Sequence, residues 1–185
     1  MIKRNLRKIH ETLNGEGMKQ ITFITTGGTI EKTYDEHTGI LTNQHSILSR
    51  ILDGLRLPEL SISQRNVIFK DSLDMNDIDR GIVLDITRQS MQHADAVIIL
   101  HGTDTLEKTA ELLYREIKKP RCPVIFTGAM RPYEFRDSDA TQNVTEALFA
   151  ATFVEPGIYV VMHNKLLAFP GVHKDRDKLT FVREA

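Results

Sequence analysis

Short apolar runs alternate along this chain with longer stretches whose apolar positions recur every three or four residues. The runs are Ile21-Thr22-Phe23-Ile24, Val67-Ile68-Phe69, Ala96-Val97-Ile98-Ile99-Leu100, Val124-Ile125-Phe126 and Ile158-Tyr159-Val160-Val161. Rich in β-branched residues and bounded by Gly, Pro or acidic residues, they read as buried strands. Between them, Ser46 to Leu55 carries Ile47, Leu48, Ile51, Leu52 and Leu55 at helical spacing. A second helix follows Asn76 or Asp77, with Ile78, Ile82, Val83 and Ile86 on one face. A third carries Leu106, Ala110, Leu113 and Ile117 and stops before Pro120. A fourth begins near Ser138 or Asp139 and buries Ala140, Val144, Ala147, Leu148 and Ala151. Strands alternating with amphipathic helices predict an α/β fold in three layers, a mostly parallel sheet with helices on both faces.

Two stretches fall outside this rhythm. Glu31 to Asn43 is polar and holds Tyr34, His37 and Gly39, which suggests a mobile loop covering a site. Lys165 to Ala185 is mixed and highly charged, with no element assigned. No repeat or linker divides the chain, so residues 18–185 read as a single domain. Residues 1–17 read as an N-terminal extension, basic at Lys3, Arg4, Arg7 and Lys8, with Ile2, Leu6, Ile9 and Leu13 near helical spacing. It suits a short surface helix, a loose tail or a docking helix.

Composition narrows the partners. With 185 residues and a net charge of −1, the chain can bury one core and makes no electrostatic case for nucleic acid or an anionic membrane. A single cysteine, Cys122, precludes an intrachain disulfide. No apolar run has the length of a membrane span, and no secretory pattern is visible, so a cytoplasmic location is expected.

The chemistry should lie beyond the carboxyl ends of the strands, where open parallel sheets bind ligands. Four strands end there in small, hydroxyl-rich or acidic loops: Thr26-Gly27-Gly28-Thr29, Asp71-Ser72-Leu73-Asp74, Gly102-Thr103-Asp104-Thr105 and Thr127-Gly128-Ala129. One such loop is an ordinary turn or helix cap; four on one sheet edge suggest a site. No P-loop, dinucleotide fingerprint, G-x-S-x-G elbow or zinc-ligand spacing is present. Neither a cofactor nor a metal is therefore expected. Cys122 precedes its strand, at the opposite end of the sheet. Threonine hydroxyls remain, able to act as nucleophiles once a base takes the proton. Asp74 and Asp104 would attract an ammonium group. Together these favour acyl transfer on a small zwitterion.

Thr26-Gly27-Gly28-Thr29-Ile30, Asp74-Met75-Asn76-Asp77, His101-Gly102-Thr103-Asp104-Thr105 and Thr127-Gly128-Ala129-Met130-Arg131-Pro132 resemble, in order, the motifs of the bacterial-type L-asparaginase/glutaminase family. Ser138-Asp139-Ala140 with Asn143 resembles the helix start that follows there. The resemblance runs from Met18 to about Lys174 and implies a flavodoxin-like sheet of the family's N-terminal-domain type. It implies that Thr29 is the nucleophile, with Tyr34 nearby in the following loop. It makes Thr103 a second catalytic threonine, in a constellation with Asp104 and a lysine, Lys174, with Lys178 as the fallback. Asp104 would hold the substrate's α-ammonium and Ser72 its α-carboxylate; Gly28, Asp74, Gly102, Thr103 and Ala129 complete the substrate-binding set. Leu73 departs from the pattern, standing where members often have Gln. The chain also ends before the family's C-terminal domain, which suggests a short, single-domain member and a homo-oligomer, dimer or tetramer, to close the site.

The implied activity is hydrolysis of L-asparagine to L-aspartate and ammonia through an acyl-enzyme. Thr29 would be activated by Tyr34 or by the Thr103–Lys174 pair. The alternatives are a glutaminase, an amidotransferase-type amidase subunit, or a catalytically silent amino-acid-binding module. In each case the partner is a small molecule.

Overall fold

A computed structural model describes residues 18–44 and 46–183; the Met1 to Gly17 extension lies outside the described residues. The chain opens with strand β1 (Lys19–Gly27), a 3-10 turn at Thr29–Glu31 and a hairpin of β2 (Thr33–Asp35) and β3 (Ile40–Thr42). Helix α1 (Leu48–Asp53) and strand β4 (Leu60–Lys70) follow. A 3-10 turn at Ser72–Asp74 leads to α2 (Asp77–Ser90), β5 (Ala96–Leu100), α3 (Leu106–Glu116), β6 (Val124–Thr127) and α4 (Ala140–Ala151). The last elements are β7 (Ile158–Met162), β8 (Lys165–Ala168), β9 (Val172–Asp175) and β10 (Thr180–Arg183).

The main sheet has the order β4-β1-β5-β6-β7-β8. Its strands run parallel except β8, which pairs antiparallel with β7. Strand alternation sends neighbouring side chains to opposite faces. Ile24, Val97, Ile99, Val124, Phe126 and Val160 join the core under α2 and α3, with Val83, Leu84, Ala110 and Leu113. Ile21, Phe23, Ile98, Leu100, Ile125 and Val161 join the other core, with Leu48 and Ile51 of α1 and Ala140, Val144 and Ala147 of α4. The three-layer α/β architecture expected from the periodicity is therefore present. Truncating a central residue such as Ile98, which is fully buried, would cost about 2–5 kcal/mol.

Four expectations need correction. Ile78 and Ile82 are 75% and 41% exposed. Helix α2 instead buries Asp79, Arg80, Val83, Leu84, Thr87 and Ser90, so its inward face is partly polar and a purely apolar pattern mislocates it. The strand expected at Val67–Phe69 is the end of the longer β4, a sheet edge rich in Ser, Gln, Arg and Asn and so poor in apolar signal. Glu31 to Asn43 is not an irregular loop throughout but contains the β2–β3 hairpin. The charged tail holds three strands, β8, β9 and β10.

Candidate active site

The four loops expected to share an edge follow β1, β4, β5 and β6, which are neighbours in the sheet. Glycines let them touch. Gly28 has φ of 83°, a left-handed conformation, and a Cβ there would overlap the backbone of Gly102. A Cβ on Gly102 would in turn lie 2.7 Å from Ser72 Oγ, and one on Gly128 would overlap the His101 carbonyl. The Gly-rich character read from sequence is thus a packing requirement joining all four loops.

At the end of β1, the structure separates the three threonines. Thr25 Oγ1 donates to Asn66 Oδ1 at 3.0 Å and Thr26 Oγ1 to the Leu100 carbonyl at 3.0 Å, and both residues are buried. Thr29 begins the 3-10 turn, is only half-buried, and among the described residues makes no side-chain hydrogen bond. It is the threonine whose hydroxyl is uncommitted. Beneath it, the fully buried Glu31 accepts from the Gly27 N–H at 2.9 Å. Burial pushes the Glu31 carboxyl up to about 7. Ser46 and the Gly27 and Ile47 amides oppose that shift, yet Oε1 has no partner in hydrogen-bond geometry among the described residues.

The second cluster is on the loop whose Gly102 packs against Gly28. Lys174 Nζ donates to Thr103 Oγ1 at 2.8 Å and to Asp104 Oδ1 at 3.0 Å. Of the two candidate lysines, Lys174 makes these contacts; the Lys178 side chain is 72% exposed and pairs with Asp175. Lys174 reaches inward because β9 and β10 form a separate hairpin held against the domain. Glu107 Oε2 accepts from Lys174 N at 2.7 Å, and Glu111 Oε1 from Gly171 N at 2.8 Å. Thr180 bonds His163 Nδ1 at 3.1 Å, and His163 Nε2 lies 2.8 Å from Asp139 Oδ2. Burial alone would raise the Asp139 carboxyl, but the Met130 and Arg131 amides and His163 hold it below the usual range. Phe181 sits in the core.

A buried polar network under this cluster was not legible in the sequence. His101 Nδ1 lies 2.9 Å from the Gly102 carbonyl, which can only accept, so Nδ1 carries the proton. Its Nε2 then accepts from Thr109 Oγ1 at 2.8 Å, and Thr109 accepts from Arg80 Nη1 at 2.8 Å. A second branch runs from Arg80 Nη1 to Thr105 Oγ1 at 3.3 Å and from Thr105 to the Ser72 carbonyl at 2.7 Å. Arg80 therefore orients carbonyls in two of the four loops. Burial, with Arg80 adding to it, brings the His101 pKa down to about 4, so the ring is neutral at neutral pH. The signal available was Thr105 and Thr109, one helical turn apart and after His101, but Arg80 lay on a helix read as apolar.

The remaining expected residues divide. Gly28, Ser72, Gly102 and Ala129 are buried at the junction of the loops. Tyr34 is 58% exposed on β2; its N–H donates to Glu134 Oε2 at 2.8 Å, and its hydroxyl lies over the Gly39 turn of its own hairpin. No hydrogen bond joins it to Thr29 in this conformation. Asp74 is exposed and is not among the groups Lys174 touches; Leu73 is 66% exposed. Cys122 is buried before β6, and burial raises its thiol to about 11, which keeps it unreactive. Among the described residues, no group of three or more His, Cys, Asp or Glu is placed to hold a metal ion, and no helix is long and apolar enough to cross a membrane.

Comparison with known proteins gives the same outline. A glutamyl-tRNA(Gln) amidotransferase subunit from Haloquadratum walsbyi is 32% identical over 154 residues, covering 80% of this chain and 34% of that protein. An L-asparaginase from Thermococcus kodakarensis is 32% identical over 158 residues, covering 84% of this chain and 47% of that protein. The chain thus spans about a third to a half of the length of these relatives. The solved thermostable L-asparaginase from Thermococcus kodakarensis superposes with a TM-score of 0.78 at 26% identity, over 89% of this chain and 51% of that one. A probable cytoplasmic L-asparaginase from Campylobacter jejuni gives 0.74 at 29% identity, over 89% and 53%. The family model described as asparaginase, N-terminal, matches residues 20–178, a span that takes in all four loops and Lys174. The chain belongs to the asparaginase family, over the part that family's N-terminal domain occupies.

Proposed function

We propose that this chain is an amidohydrolase that releases ammonia from the side-chain amide of L-asparagine through a Thr29 acyl-enzyme. One observation carries the reading: Thr103 and Asp104 meet Lys174, 71 and 70 positions away in sequence, within hydrogen-bond distance beside the loop that bears Thr29. Lys174 as an ammonium donates to Thr103; after losing one proton it can accept the hydroxyl proton. Thr103, poised by Lys174, relays the proton from the Thr29 hydroxyl, Thr29 attacks the amide carbon, and the proton passes to the departing ammonia. The Gly102–Thr105 loop feeds α3, and in this reading its amides and the positive end of the helix hold the developing oxyanion. Water then releases L-aspartate. In this reading Asp104 meets the α-ammonium and Ser72 the α-carboxylate, and Tyr34 acts after its hairpin turns towards Thr29.

A second reading has specific support, because several relatives are amidotransferase subunits. In it, the chain supplies ammonia to a partner rather than to solvent. A homo-oligomer that completes the site and a cytoplasmic location remain parts of the proposal.

The test is ammonia release from asparagine and glutamine by the purified chain. Thr29→Ala and Thr103→Ala should each lower the rate by about 10²–10⁴-fold, the usual range for a positioned nucleophile or base. Wild-type rates in both variants would sink the assignment. Activity appearing only with a co-purified partner would favour the second reading.

A further inference from the structure

Asp104 carries more cations than its single charge balances. Lys174 Nζ lies 3.0 Å from its Oδ1, and Arg176 Nη1 lies 3.2 Å from the same oxygen. The two cations differ in setting. The Lys174 side chain is 11% exposed and also holds Thr103, whereas the Arg176 side chain is 68% exposed. Arg176 belongs to the turn between β9 and β10. That turn is closed without it: the Asp177 and Lys178 amides donate to Asp175 Oδ1 at 3.1 and 2.9 Å, and Lys178 pairs with Asp175 at 2.9 Å. The guanidinium is therefore an arm at the mouth of the site, not a support for Lys174.

We infer that Arg176 is a specificity-determining residue, which shifts the site towards ω-amides that bear a carboxylate but lack a free α-ammonium. The inference rests on the reading of Asp104 as the carboxylate facing the substrate's ammonium. An incoming ammonium must displace Arg176 or become a third cation on one carboxylate. A substrate without it leaves the Arg176–Asp104 pair in place, and its own carboxylate can engage the unused N–H groups of the guanidinium fork. An exposed ion pair is weak, so displacement should cost the amino-acid substrate about two- to fivefold in affinity.

The experiment compares the wild-type chain, Arg176→Ala and Arg176→Lys. Ammonia release is measured from L-asparagine and from succinamate, which lacks the α-amino group. Calorimetric binding is measured with L-aspartate and succinate. Arg176→Ala should lower KM for asparagine and Kd for aspartate by about two- to fivefold, and raise the values for succinamate and succinate by a similar factor. The change should fall in KM rather than kcat, and Arg176→Lys should keep the wild-type order of preference. Equal shifts for ligands with and without the ammonium, no shift in either, or a shared fall in kcat would overturn the inference. If the wild-type chain hydrolyses neither amide, the hydrolytic reading has failed instead, and the two binding affinities still decide the role of Arg176.

Discussion

The two halves of the site are built differently. On one side, Thr103, Asp104 and Lys174 stand on a floor of buried hydrogen bonds running through Arg80, Thr105, Thr109 and His101. On the other, Thr29 rides a turn whose neighbours are glycines, a buried carboxyl and an exposed hairpin carrying Tyr34. The first half is complete as it stands. In the second, no hydrogen bond joins Tyr34 to Thr29, and Tyr34 is largely exposed. Elements that close over substrates are drawn from the less packed part of a fold, and chemistry needing fixed geometry from the more packed part. On the proposed function, the difference teaches that the base side is preorganised and that the nucleophile side is left to substrate, hairpin movement or a second chain to finish.

Replacing Lys174 by Met should have the largest effect. It removes the base side while preserving much of the packed stem, and should slow ammonia release by about 10²–10⁴-fold, or roughly 3–5 kcal/mol of barrier. A loss under tenfold would mean that the preorganised half is not where the proton is taken.

A stability-versus-pH series comes next. Glu31 has a folded pKa of about 7 against an ordinary 4.5, so its contribution is full below pH 4.5 and lost as pH rises through 7. His101 has a folded pKa of about 4 against 6.5, so its contribution is full above pH 6.5 and lost as pH falls through 4. The two oppose each other between pH 4.5 and 6.5, each worth on the order of 3 kcal/mol. Glu31→Gln should remove the opposition, and urea unfolding should then show stability climbing steeply with pH across that window. A profile as flat as the wild type's would show that Glu31 does not titrate there.

Arg80→Ala should destabilise the chain by about 2–3 kcal/mol, because charged hydrogen bonds to buried partners are lost. The variant should also lower kcat through the displaced Ser72 and Gly102 carbonyls. Unchanged activity in a destabilised variant would separate the floor from the site above it. The smallest effect on stability belongs to Tyr34→Phe, within about 0.5 kcal/mol, since the hydroxyl is on an exposed strand. Its kcat should nonetheless fall; an unchanged kcat would remove Tyr34 from the mechanism.

Much of the architecture was legible because period-two and period-3.6 patterns are local and their apolar faces are buried. Strand β5, wholly buried, and α4, which hides Ala140, Val144 and Ala147, are readable for that reason. Strand β4 and helix α2 were less so. One is a polar edge, and the other buries Arg80 while exposing Ile78. In those elements tertiary partners, not hydrophobicity, decide which way a residue faces.

By itself, the sequence determined the alternation of strands and helices, the four loops on one sheet edge and the short list of hydroxyls and acids they carry. Each of these follows from local spacing. Only the tertiary structure decided which threonine at the end of β1 has an uncommitted hydroxyl, which lysine reaches Thr103, and what lies beneath both. These depend on contacts between segments far apart in the chain, made through glycine-thin approaches and buried hydrogen bonds. A one-dimensional pattern carries no record of such distances.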